Sequence, residues 1–121
     1  MSDEKTSILQ LKQRVEKFVA ARDWSKYHNP KNLSMSIAIE ASELMELFQW
    51  VSEEELDRLM KDSHHFQKLQ EELADIIIYC LSLANAADVD VTQAVVKKID
   101  RNEHKYPVEQ FKGNYRKYTE P

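Results

Sequence analysis

One glycine in 121 residues is the tightest constraint on what this chain can become. Hairpin turns, phosphate-cradling loops and the tight connections of doubly wound sheets spend glycine freely, because only a residue without a side chain enters positive φ at no cost. With Gly113 alone and three prolines, too few turns remain for a sheet architecture, and the chain reads as almost all helix. Its length suits a single domain over residues 1–121, with a modest core. A composition of 42% hydrophobic and 31% charged residues separates it from disordered chains.

Other classes fall away on charge and cysteine count. A net charge of −4 argues against a nucleic acid polymer as the main partner. Seventeen basic residues still allow a local cationic patch for a smaller anion. The single cysteine, Cys80, excludes an internal disulfide and any cysteine-based metal motif. No run approaches the roughly 20 apolar residues of a membrane span, and the first residues lack a secretory-leader pattern. The expectation is a cytoplasmic protein with no membrane partner.

Helical spacing organises the chain. Thr6 or Ser7 can cap a first helix whose apolar positions Ile8, Leu11, Val15, Phe18 and Val19 share a face, ending near Arg22. The segment DWSKYHNPKN (23–32) reads as a loop, heavily loaded with Trp24, Tyr27 and His28. A second helix is predicted from about Leu33 to Trp50. Its apolar residues cover more than one face, so it needs cover on two sides, and in so small a chain a second subunit is the expected source. SEEE (52–55) is a capping-box pattern opening a short polar helix to about Lys61. A third helix follows Asp62 or Ser63 and reaches about Ala87. DVDVT (88–92) is a turn with Thr92 as the expected cap of a fourth helix, about Gln93 to Lys105, which stops before Pro107. The tail, 108–121, has no periodicity and reads as an extended arm.

Within IEASELMELFQW (39–50), acids stand in an apolar run. Residues three apart on a helix project to one side, a turn apart in height. Glu40 and Glu43 form such a pair, and Glu72 and Asp75 form another on the third helix. Glu40 has Ile37 and Leu44 at −3 and +4; Glu72 has Leu69, Ile76 and Tyr79 at −3, +4 and +7. Ionised carboxylates on apolar stripes need neutralising. Yet only Glu72 has a basic residue, Lys68, three or four positions away. Two facing pairs offer four hard oxygen ligands, a set that suits Mg2+ or Mn2+. Zinc prefers His or Cys, and di-iron bundles need Glu-x-x-His on two helices. The nearest relative here is Asp62 with His65, and His64 and His65 read as solvated residues at a helix start. Glu46 reads as solvated or as a neighbour of the pair.

A cation held by carboxylates, with positions left open, is typical of phosphate chemistry. No Walker loop can be built from one glycine. Phosphates would fall to the metal and to basic side chains, and KKIDRNEHKYP (97–107) supplies Lys97, Lys98, Arg101 and Lys105 with Asp100 and Asn102. Its alternative is a solvated basic helix end favoured by the dipole. Trp24, His28, Trp50 and Tyr79 could stack a flat ring; each is also explained by packing.

Taken together, NLSMSIAIEASELMELFQW, QEELADIIIYCLSLA and KKIDRNEHKYP resemble the MazG-like all-α nucleoside triphosphate pyrophosphohydrolases. RDWSKYHNPKNL and RKYTE make the dCTP pyrophosphatase branch the nearest likeness. The resemblance covers about residues 7–120, with the segments in order. It implies a four-helix-bundle-like MazG fold in a dimer or tetramer with active sites at subunit interfaces. It also implies Mg2+-dependent hydrolysis of a (deoxy)nucleoside triphosphate to the monophosphate and pyrophosphate. Glu40, Glu43, Glu72 and Asp75 match the family's metal ligands. Lys98, Asp100 and Asn102 match its fourth-helix phosphate, metal and nucleotide segment, and Trp24, His28, Trp50 and Tyr79 fall where the dCTP branch lines its base pocket. The polar link between Trp50 and Glu72 is a departure, in a region of variable length. Glu43, before Glu40, is the expected general base. Relatives acting on dUTP or phosphoribosyl-ATP, and a non-enzymatic helical oligomerisation module, stay open as alternatives.

Overall fold

The computed structural model describes residues 1–120, and no strand occurs among them. Six helices follow in order: α1 (Ile8–Ala21), α2 (Pro30–Glu46), α3 (Glu53–Lys61), α4 (Ser63–Ala87), α5 (Val91–Lys105) and α6 (Val108–Phe111), with a 3-10 turn at Ser25–Tyr27 between α1 and α2. They segregate into two compact units, Met1–Asp88 and a second from Val89 onward. No helix is long and apolar enough to cross a membrane among the described residues.

The caps explain the boundaries and correct three expectations. Ser7 opens α1 with a full reciprocal box: its hydroxyl accepts from the Gln10 N–H at 3.1 Å, and Gln10 Oε1 accepts from the Ser7 N–H at 2.7 Å. At Ser52 only the forward bond forms, from the Glu55 N–H at 3.3 Å. α2 begins three residues before the expected Leu33. Asn29 Oδ1 accepts from the Asn32 N–H at 2.9 Å, and Pro30 supplies the preset φ of a first helical position. α2 also ends earlier than Trp50. From Leu47 the backbone tightens into i→i−3 bonds, Leu47 N–H to Leu44 O and Phe48 N–H to Met45 O, which carry the chain into a turn. Asp90, not Thr92, caps α5, accepting from the Gln93 N–H at 2.9 Å. A carboxylate is the better acceptor and also complements the helix dipole.

Scarce glycine shows in the backbone. Asp23 and Asp88 both adopt φ 55°, and Asp88 ends α4 in the left-handed conformation. Short polar side chains are the ones that tolerate it best after glycine.

In the first unit α4 is the hub, contacting α2, α1 and α3. Its most deeply packed residues toward α2 are His65, Leu69, Glu72, Ile76, Tyr79 and Leu83, spaced alternately four and three. On α2 the matching set is Leu33, Ile37, Glu40, Leu44 and Leu47. This is coiled-coil spacing. The helices run antiparallel, since Glu40 meets Glu72 while Phe48, after the end of α2, meets His65 near the start of α4. α1 lies on another side of α4, tied by Asn85 Nδ2 donating to Lys12 O at 3.0 Å. Among the described residues Val19, Leu33, Leu81, Ser82 and Ala84 are buried, Leu33 most completely.

The second unit is local in character. Tyr106 meets Phe111 edge-to-face at 4.9 Å and Tyr118 at 5.9 Å, while Lys105 Nζ sits 4.7 Å from the Tyr118 ring centroid. The expected extended arm is therefore corrected: it carries the one-turn α6 and folds back so that Tyr118 reaches Tyr106. Pro121, the last residue of that tail, lies outside the described residues.

Candidate metal centre

Glu40 and Glu72 sit at seam positions where coiled coils put leucine, and that placement builds the site. Glu40, Glu43 and Glu72 each present a carboxylate oxygen within 4.8 Å of the others. Glu40 Oε2 and Glu72 Oε2 are buried without a hydrogen-bond partner, although each residue as a whole is half-buried. Burial raises the Glu40 carboxyl above the ordinary carboxylate range, reinforced by a hydrogen bond shared with Glu43 and by the charges of Glu43, Asp75 and Glu72. Glu72 is raised in the same way, by burial first, then by its hydrogen bond to Glu43 and the charges of Glu43, Asp75 and Glu71. Asp75 is outside the three-oxygen cluster but close enough for its charge to act on both acids.

A raised folded-state value means the folded chain holds those protons more tightly than the unfolded chain. The stabilising contribution is present at low pH and is lost as pH rises through the ordinary carboxylate range to the raised values. At neutral pH, converging charges and orphaned oxygens work against the fold. A divalent cation reverses both, and the donor set of hard oxygens suits Mg2+ or Mn2+.

The other residues singled out by sequence belong to both units, and those of the first unit do not gather into one cluster. Tyr79 is half-buried in the α4 seam, two turns beyond Glu72. Trp24 rests edge-to-face on Phe18 of α1, ring centroids 5.8 Å apart. His28 lines a cavity of about 150 Å³ with Glu16, Val19, Ser25, Ser82 and Asn85. Its Nδ1 and the Ser82 hydroxyl are buried there without partners. Trp50 stands 87% exposed beyond the opposite end of α2. The 17 residues of α2 span about 25 Å, so one chain does not bring Trp50 to the same ring as His28 and Trp24. Lys98 and Asp100 are exposed and Asn102 half-buried on α5. The Asn102 carbonyl accepts from the Tyr106 N–H at 2.8 Å.

His64 is exposed as expected, but His65 is corrected: it is half-buried, its Nε2 is fully enclosed without a partner, and its ring packs on Phe48. Asp62 is a cap, accepting from the His64 and His65 N–H groups at 2.9 and 3.0 Å. Those backbone bonds hold its carboxyl below the ordinary range.

Residues 35–120 match a model of the MazG-like family. The chain belongs to the MazG-like family. It is 43% identical over 103 residues to dCTP pyrophosphatase 1 of Mus musculus and 41% identical to that of Homo sapiens, in each case over 85% of this chain. It spans 61% of the length of those curated relatives. The crystal structure of a pyrophosphatase from Archaeoglobus fulgidus superposes with a TM-score of 0.78 at 37% identity, covering 88% of this chain and 98% of that one. The helical arrangement is thus a MazG-like fold, and the acid pairs of α2 and α4 fall inside the matched region.

Proposed function

We propose that this chain hydrolyses a (deoxy)nucleoside triphosphate, dCTP or a modified dCTP, to the monophosphate and pyrophosphate. The observation that carries the reading is the three-carboxylate cluster of Glu40, Glu43 and Glu72, with two oxygens buried and unpartnered in an apolar seam. The names of the curated relatives support the reaction class and the base, and that of the archaeal structure supports pyrophosphatase chemistry.

Glu40, Glu43 and Glu72, with Asp75 beside them, would hold Mg2+ or Mn2+. Such an ion supplies shielding of polyphosphate charge and activation of water. Glu43 is exposed at the edge of the seam, where it can take the proton from the attacking water; Glu40 is the second candidate. Lys98, Asp100 and Asn102 are assigned to binding of the phosphates, metal and nucleotide. Trp24, His28 and Tyr79 line the base pocket of one chain, and Trp50 closes the pocket of another.

That division requires a homo-oligomer, dimer or tetramer, and the uncovered apolar surface supports one. Met35, Ile39 and Met45 of α2 are 55%, 56% and 71% exposed. Between α1 and α4 an apolar groove of about 440 Å³ is lined by Leu11, Val15, Phe18, Ile77 and Ile78. Exposed apolar side chains gathered on helix faces are the kind of surface that a partner covers, and a second copy is the occupant that also completes the base pocket. The cytoplasm, where nucleotide pools lie, is the proposed location.

The test is a substrate panel of dCTP, dUTP, dATP, dGTP, dTTP and phosphoribosyl-ATP with Mg2+. Preferred turnover of dCTP supports the reading. Preference for dUTP or phosphoribosyl-ATP moves it to another branch of the family. No turnover of any of them leaves the helical oligomerisation module.

A further inference from the structure

Three orphaned polar atoms lie on the α2–α4 side of α4: the Oε2 atoms of Glu40 and Glu72, and Nε2 of His65. The first two are explained by the metal centre. His65 is not, because it stands seven residues before Glu72, about 10 Å along the helix. An imidazole nitrogen buried without a partner costs free energy that leucine at the same seam position would avoid.

What His65 touches is the ring of Phe48, edge-to-face at 5.2 Å and 79°. That geometry is favourable for aromatic pairs. Phe48 sits in the turn after α2, whose backbone is closed by the Phe48 N–H to Met45 O bond at 3.0 Å and the Val51 N–H to Phe48 O bond at 3.1 Å. Trp50 lies between those two bonds and is 87% exposed, so little of its own surface fixes it. The other side of the contact is pinned, since Asp62 caps the His65 N–H at 3.0 Å.

We infer that His65 is a positioning residue: through Phe48 it sets the turn that presents Trp50 to the nucleotide base. This rests on the reading above that Trp50 stacks on the base. The requirement is physical. A tryptophan carried by a mobile turn loses much of its stacking free energy to ordering on binding, whereas one on a fixed turn has already been ordered. His65 thus acts on substrate binding and not on the chemical step at the acids.

Steady-state kinetics with dCTP and Mg2+ tests it on His65→Ala, His65→Phe, Trp50→Ala and the double variant His65→Ala/Trp50→Ala. His65→Ala should raise KM about tenfold with kcat within threefold, and His65→Phe, which keeps the ring contact, should stay within threefold of the parent in both. In the Trp50→Ala background the further loss from His65→Ala should be less than twofold. An unchanged KM in His65→Ala, a fall in kcat alone, or an additive tenfold loss in the double variant overturns the inference. If the parent turns over no triphosphate, the proposed function fails instead. The anchoring is then judged by fluorescence anisotropy of Trp50 as the sole tryptophan, in a Trp24→Phe background. A lower anisotropy in His65→Ala supports the anchoring, and an identical one overturns it.

Discussion

Glu72→Gln should abolish triphosphate turnover, by a thousandfold or more, and at the same time raise the melting temperature of the metal-free protein at neutral pH. The two effects have one cause. In the seam, Glu72 brings a charge against Glu43 and Asp75, with one oxygen buried and unpartnered. Glutamine keeps the shape and removes the charge, so the repulsion and the cost of burying an ionised group disappear. The same substitution removes a hard anionic ligand from the cation site. The pH dependence has a definite sign. Because the folded-state values of Glu40 and Glu72 are raised, the metal-free parent loses stability as pH climbs through and above the ordinary carboxylate range. The advantage of Glu72→Gln should therefore be largest at neutral pH and shrink toward acid pH. Thermal unfolding across pH with EDTA checks this; a variant less stable than the parent at neutral pH would mean the acids are satisfied by contacts within the chain.

Ile77→Glu should turn the proposed oligomer into monomer and cost at least tenfold in activity. Ile77 is 45% exposed in the α1–α4 groove, so a charge there is tolerated in one chain and buried only when a second copy covers it. Loss of activity should follow because Trp50 and His28 lie at opposite ends of a helix about 25 Å long. Sedimentation velocity reads the first effect and turnover the second. An unchanged oligomer with unchanged turnover would place the subunit contact elsewhere.

The fold class was legible from one glycine and from helical spacing, and the acid cluster from its place on apolar stripes. Spacing of four and three through Leu33, Ile37, Glu40, Leu44 and Leu47 is a property of the sequence, and helix geometry alone turns it into a shared face. The ends were less legible for reasons that can be named. Asn29 with Pro30 is a cap followed by a first-turn proline, but in a segment rich in Asn, Asp and Ser it also reads as loop. Asp90 and Thr92 both cap well, and only the competition between them decides. His65 looked solvated because a histidine beside another at a helix start usually is. Its burial depends on Phe48, seventeen residues earlier, whose approach is set by how α2 packs on α4. The return of Tyr118 onto Tyr106 is likewise a tertiary aromatic contact with no periodic trace. The base-pocket residues show the limit most clearly, since residues that would stack one ring are placed far apart in a single chain.

The most direct test of the account is 31P NMR of dCTP incubated with the purified protein, with Mg2+ and then with EDTA. The account predicts dCMP and pyrophosphate resonances appearing together with Mg2+, the pyrophosphate signal twice the dCMP signal because it carries two equivalent phosphorus atoms, and neither with EDTA. Appearance of dCDP with inorganic phosphate, or the same products at the same rate in EDTA, would contradict it.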